Sequence, residues 1–366
     1  MVYHILDFDL QRLVLPLAQA TAELARLDER VARSPVREGW LARNDFADAV
    51  AALWVMGDLV HLEDLVLHDQ RMDNRAPSQE LTRAAGVLRA RRRIAGQPPD
   101  WALSAAGLAH LRNRSPVVPV RSADGEIPPA EGEGSGKSPR LDGADGALSA
   151  AIAAMDATLA RSAATLVASS PDRRGRDTLV YDLDWNEDAR LKDWCQIVAA
   201  TTALPPVLRA ALLIDVWREI EVLQHGGWLG PLLVAALLRQ AGAVTAHLPA
   251  LHCGLRAVER EKRTAKVRTE RLGALLAAIA EMARLGMKEH DRLVLADTTM
   301  RRRLKGRRAS SRLPQLIALV LAHPVVSAPM VEKALGVTQQ GAHTLIAALG
   351  LREVTGRGRF RAWGIL

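Results

Sequence analysis

Cysteine is almost missing from this chain of 366 residues: Cys195 and Cys253 are the only two. Two thiols so far apart make neither a disulfide framework nor a metal-ligand set, so a reducing cytoplasm is the expected compartment. Aromatic residues are scarce as well, at 4%. Ala and Leu dominate instead, and they favour helices. Long apolar runs are also missing. Each is too short or too punctuated to span a membrane, and no membrane partner is expected. The opening residues MVYHILDFDLQRLVLPL carry Asp7 and Asp9 without a basic n-region, so they do not read as a secretory signal. Acid is in deficit: the formal charge of +8 and a pI near 10 suit a polyanionic partner. The hydrophobic content of 49% is ample for real cores, and the length suits two or three domains.

The most informative stretch is Leu313 to Leu366. Pro314 can open a helix, because the donor it lacks would go unused in a first turn. Leu316, Ile317, Val320 and Leu321 give an apolar stripe, which His323-Pro324 stops. Ser327 is placed to cap a second helix with Pro329 just inside it, and Met330, Val331, Ala334 and Leu335 form its buried face. Gly336 then allows a tight turn. Thr338 caps a third helix whose inner face is Ala342, Leu345, Ile346 and Leu349. By the helical period its outer face is Gln340, His343, Thr344 and Ala347, with Gln339 on the flank. Gln can pair bidentately with adenine, and Thr or Ala can meet a thymine methyl. No Arg or Lys stands on this face, which weakens direct guanine reading.

After Gly350, residues Leu351 to Trp363 alternate around Gly356-Arg357-Gly358. That is the pattern of two short strands and a basic wing, with Arg352, Arg357, Arg359 and Arg361 towards phosphates. The stretch reads as a winged helix-turn-helix. The competing reading is a small helical bundle that binds a protein. Just before it, Arg301, Arg302, Arg303, Lys305, Arg307, Arg308 and Arg312 put seven cations within twelve positions, without an acid. They would neutralise phosphates and make affinity fall steeply with salt; a flexible basic hinge is the alternative. The expected DNA-binding residues are Thr338, Gln339, Gln340, His343, Thr344, Arg357 and Arg359, with Arg301, Arg302, Arg303, Lys305, Arg307 and Arg308 of the basic run.

The rest reads as helices. One is expected from about Asp9 to Ala32, with Pro16 inside it, and a second from about Asn44 to His68. His61, Asp64 and His68 share a face of the second, a metal-capable set that reads more simply as a polar rim. A third helix, Ser78 to Ala95, ends in Arg89, Arg91, Arg92 and Arg93, cations that its macrodipole favours. A short helix follows at Trp101 to Leu111. Residues 115–146 are rich in Pro and Gly and read as a disordered linker or insertion. Their GEGSGKS lacks the spacing of a phosphate-binding loop. An Ala-rich helix is expected from Ala147 to Leu166. Asp182, Asp184, Glu187 and Asp188 then make an acidic patch, and another helix spans Leu191 to Ala203. Between Leu204 and Ala246 two core helices flank His225-Gly226-Gly227-Trp228. Ala257 to Arg271 mixes charges as a solvated helix face does.

The segment VWREIEVLQHGGWLGPLLVAALLRQAG resembles the core of a Fic domain, in which a loop of the type HxFx[DE]GNGRxxR joins two helices. In that family the loop binds nucleotide phosphates and its His is the base for nucleotidyl transfer. With Gly227 as the last loop glycine, Ile220 stands at the His, Gln224 at the acid, Gly226 at the Asn and Trp228 at the first Arg. With His225 as the base, Leu229 stands at the acid and Leu233 at the Arg. Neither register keeps the anion-binding Arg and the acid together, so the resemblance implies a degenerate Fic domain. SPVREG, at Ser34 to Gly39, also matches a short pattern near the start of many Fic proteins. The chain as a whole is similar to an uncharacterised alpha-proteobacterial, rhizobial-type family with a helical domain of unknown function and a C-terminal helix-turn-helix. HLEDLVLHD, RAPSQELTRAAGVLRARRRIA and the C-terminal stretch carry that likeness.

These readings give a mostly α chain: a helical part at 1–114, a linker at 115–146, a Fic-like helical core at 147–295, a basic connector at 296–312 and a winged helix-turn-helix at 313–366. The expected function is DNA binding as a transcriptional regulator, with no catalytic residues, cofactor or metal. The alternatives are a Fic-like nucleotidyl (AMP) transferase and a toxin-antitoxin-like module that binds a protein partner. A homodimer would suit a module that reads few base pairs, though no interface is visible in the sequence.

Overall fold

In a computed structural model the chain is described at residues 7–72, 76–112, 185–304, 311–355 and 361–365. The expected linker, the Ala-rich helix after it, and Asp182 and Asp184 lie outside these residues. The fold is mostly α. The helical elements are α1 (Leu10–Ala32), α2 (Arg37–Met56), α3 (Leu62–Asp69), α4 (Gln79–Ala95), α5 (Ala105–Leu111), α6 (Glu187–Ala200), α7 (Pro206–Ile220), α8 (Leu229–Gln240), α9 (Leu251–Ala257), the single turn α10 (Arg260–Arg263), α11 (Arg268–Arg302), α12 (Leu313–Ala322), α13 (Ala328–Leu335) and α14 (Gln339–Leu349). Three short strands, β1 (Val326–Ser327), β2 (Arg352–Glu353) and β3 (Ala362–Gly364), form an antiparallel sheet in the order β1-β3-β2. Among the described residues no helix is long and apolar enough to cross a membrane.

The stripe Leu13, Ala20, Leu24, Leu27 and Val31 buries α1 along α11. The two run in the same direction. Asp9 N–H donates to Thr269 Oγ1 at 3.0 Å at one end, and Arg30 pairs with Asp291 at 3.0 Å at the other. Helix α8 is apolar nearly all round and sits in the core, as such a helix must; α7 beside it is buried over most of its length, with Asp215 inside and paired to Arg271.

The expected single helix from Asn44 to His68 is two helices. α2 starts earlier, at Arg37, and stops at Gly57. Gly57 has φ 97°, and its N–H bonds back to Leu53 and Trp54. Apolar spacing carried the sequence reading across this residue, but only glycine adopts that conformation without cost. His61, Asp64 and His68 are thus on or beside the short α3. Among the described residues no group of three or more His, Cys, Asp or Glu is placed to hold a metal ion. The basic run also begins differently from a free connector, because α11 continues as a helix to Arg302.

One buried polar cluster ties the helical domain together. Arg91 donates from Nε to Asp45 at 2.7 Å, from Nη1 to Asp48 at 2.8 Å, and onward to the carbonyls of Leu248 and Pro249. Asp48 also accepts from the backbone N–H of His252 at 2.9 Å and lies 3.1 Å from His252 Nδ1. Burial opposes charge on Arg91, but the two carboxylates outweigh it and hold the proton on more tightly than usual. The helix-end explanation of this Arg run does not cover Arg91. Arg91 follows Ala84 and Leu88 on the inner face of α4. A cation at that position has to be paired inside.

Candidate nucleic-acid interface

The three helices of the C-terminal module form as the sequence signals them. Ser327 caps α13, its hydroxyl accepting from Met330 N–H, and Pro329 lies in the first turn. Gly336 ends that helix at φ 63°. Thr338 caps α14 by accepting from Gly341 N–H at 3.2 Å. The inner faces are as expected, except that Ala334 is exposed and Leu345 is only half-buried.

On the outer face of α14, Gln339, Gln340, Thr344 and Ala347 are exposed. Thr344 Oγ1 donates to its own helix at Gln340 O, 2.9 Å away. His343 is half-buried and meets Trp363 of β3 edge-on, with ring centroids 5.7 Å apart. Gln339, Gln340 and Thr344 are therefore exposed polar side chains of this face, while His343 braces α14 against the sheet. Arg352 is exposed on β2, and Arg361 is held by Glu353 at 2.9 Å. Arg357 and Arg359 lie outside the described residues.

The basic run divides. Arg301 Nε donates to both carboxylate oxygens of Asp297, four residues back, at 2.8 and 2.7 Å. Arg302 is exposed. Arg303 donates from Nη1 to the carbonyl of Leu349, the last residue of α14. There its charge faces the negative end of the helix that would read DNA, a favourable position for a cation. Lys305, Arg307 and Arg308 lie outside the described residues.

What the sequence did not reveal is how the module is seated. Arg43 of α2 reaches the end of α12 and donates to the carbonyls of Leu321, Val320 and His323 at 2.7, 2.8 and 2.8 Å. Burial lowers the Arg43 guanidinium to about 10, which still leaves it charged at neutral pH. Gly39, one turn earlier, lets α2 approach closely: a Cβ there would stand 2.9 Å from Leu321 Cβ. His323 lies against Phe46 and 3.4 Å from Gln70 Nε2. Ser327 donates to Met72 Sδ at 3.5 Å, and Arg292 to Ile365 O at 3.0 Å. A signal for Arg43 existed, since it falls between Gly39 and Phe46 on the buried face of α2.

The residues of the Fic resemblance are spread over the turn after α7. Ile220 is buried at the helix end, and Glu221 follows at φ 51°. His225 is exposed, and Trp228 is half-buried with its carbonyl 3.1 Å from His252 Nε2. Ser34, of the short N-terminal pattern, accepts from Val36 N–H and lies 2.8 Å from His290 Nε2.

The fold and the family match of its C-terminal residues define a helix-turn-helix DNA-binding protein, in which a mostly α domain carries that module. Residues 313–366 match the family described as an HTH DNA binding domain, and residues 179–305 match the one described as a protein of unknown function (DUF1612). Over 385 aligned positions the chain is 48% identical to the uncharacterized protein y4cF of Sinorhizobium fredii (strain NBRC 101917 / NGR234), covering 100% of both. The chain belongs to the family of that protein. Among solved structures, a Fic family protein from Desulfovibrio desulfuricans G20 is similar at a TM-score of 0.45, with 11% identity over 96% of each chain. At that score the likeness supports no inference about fold or chemistry.

Proposed function

We propose that this protein is a sequence-specific transcriptional regulator. Its α14 enters the major groove, and its β2–β3 hairpin is the wing. Gln340 and Thr344 read base edges, Gln339 supports them, and His343 fixes their angle from Trp363. Exposed cations, Arg302 and Arg352 first, would meet phosphates and supply sequence-independent affinity. The observation that carries this reading is the exposed row of Gln339, Gln340 and Thr344 on a helix whose other faces are buried or braced. Amide and hydroxyl side chains that have no partner outside their own helix among the described residues are spare in folding, and they fit base edges.

The helical domain is the platform in this reading. It holds α12 through Arg43 and the end of α14 through Arg303, so the reading helix is positioned rather than tethered. The test is enrichment of genomic DNA fragments by the full chain. Selective enrichment that disappears in Gln340→Ala/Thr344→Ala supports the reading. Enrichment of every fragment alike, unchanged in the variant, contradicts it.

A further inference from the structure

A cavity of about 670 Å³ opens on the helical domain between α4, α5 and the turn that carries Trp228. Its described lining includes Arg89, Arg93, Gln97, His110, Leu111 and Trp228, and no carboxylate. The macrodipole of α4 accounts for cations in its last turn. It does not account for their facing a concavity backed by a leucine and an indole. Arg89 and Arg93 are one turn apart, and like charges at that spacing repel. The cavity is open, with Arg89, Arg93 and His110 exposed at its rim and Leu111 and Trp228 giving it an apolar wall, and concave sites of this size suit small ligands.

We propose that this cavity binds a small organic anion: one carboxylate or sulfonate on an apolar body of ring size. Arg89 and Arg93 receive the anion, His110 and Gln97 add donors, and Leu111 and Trp228 cover the apolar part. Paired guanidinium groups hold such oxyanions bidentately.

The ligand has a route to the helix-turn-helix. Arg92 lines the same cavity. It is bidentate on Asp69 at 2.6 and 3.1 Å, and its guanidinium lies 5.0 Å over the Phe46 ring. Phe46 is the ring against His323, and Gln70, the neighbour of Asp69, also faces His323. A bound anion competes with Asp69 for Arg92 and so loosens the seat of α12. Only the consequence for DNA binding rests on the regulator reading; ligand binding and the loosening of α12 do not.

The probe is 8-anilinonaphthalene-1-sulfonate, titrated by fluorescence into the full chain. Saturable binding is expected, weakened about tenfold or more in Arg89→Gln/Arg93→Gln. Arg260→Gln/Lys262→Gln, on the exposed turn α10, is expected to bind as the wild type does. Absence of saturable binding, or equal binding in the Arg89/Arg93 variant, overturns the site. The route is read separately, by hydrogen exchange at residues 313–323. Exchange is expected to quicken when the probe saturates the wild type, but not Arg92→Gln. If exchange is unchanged in the wild type, the route is wrong even where the site stands. Neither measurement uses DNA, so failure of the regulator reading would be seen elsewhere.

Discussion

Arg43 Nε donates to the carbonyl oxygen of Leu321 at 2.7 Å across 278 residues of sequence. The last carbonyls of a helix have no partner within it, and buried ones must find another. Here the partner is a guanidinium from the helical domain. The helix-turn-helix is thereby finished by a residue it does not itself contain. Arg43→Ala leaves these carbonyls unpaired in a closed interface and should cost about 2–4 kcal/mol. Urea unfolding checks the size. Faster hydrogen exchange in α12 than in α1 would place the loss at the seat.

Arg303 and Arg302 are adjacent in sequence but should behave differently. A cation on phosphate contributes about one unit to the salt slope of binding, which disappears with it. Arg302→Ala should therefore lower the slope by about one. Arg303→Ala removes the donor on Leu349 instead. It should weaken binding with the slope unchanged and lower the melting temperature. Salt titrations of both variants on one DNA separate the roles.

Two glycines in left-handed conformation give a paired test. Gly336 has φ 63° and Gly350 has φ 59°, so alanine at either costs about 1–2 kcal/mol in backbone strain. At Gly336 no atom stands within 4 Å of an added Cβ, whereas at Gly350 the Arg303 guanidinium occupies that space. Gly350→Ala should be the more damaging of the two in thermal melts, and in Arg303→Ala the difference should shrink.

Acid should loosen the protein in two stages. Burial pushes His323 below its ordinary 6.5, outweighing the Leu319 carbonyl that accepts from its Nδ1. Burial does the same to His247 against Asp28. Both imidazoles bind protons more readily in the unfolded chain, so their stability is present above about 6.5 and is lost as pH falls. Burial alone would raise Asp28, but bonds from His247, the Thr245 and Ala246 N–H groups and the Thr245 hydroxyl outweigh it and hold the carboxyl near 2. Its contribution is full above 3.8 and is lost only between there and about 2. Melting temperatures should drop between pH 7 and 5, by less in His323→Gln. A flat profile over that range would contradict the assignment.

The C-terminal module was legible because its signals are local. Pro314, Ser327, Gly336, Thr338 and Gly350 each fix a helix start or end within a few residues, and the apolar period fixes the inner faces. The outward row of Gln340 and Thr344 follows from the same period. Its seat was not legible, because Arg43 and Leu321 are far apart in sequence. The buried cations left a partial trace, since Arg43 and Arg91 both fall in apolar stripes. Asp48 falls on the same buried face of α2, but Asp45 and the carbonyls of other elements have no such mark. The split of the basic run was hidden for the same reason: Asp297 is within reach on one helix, but Leu349 is not.

The central claim is that α14 reads sequence while exposed cations supply affinity. It is tested most directly by the affinity of the full chain for one enriched fragment and for a scrambled version, across a range of salt, in wild type and Gln340→Ala. Wild-type binding should be tighter to the enriched fragment, the gap should narrow by about 1–3 kcal/mol in the variant, and the salt slope should not change. Equal wild-type affinity for both fragments, with a steep salt dependence, would mean that the chain binds DNA only as a polyanion and that α14 does not read sequence.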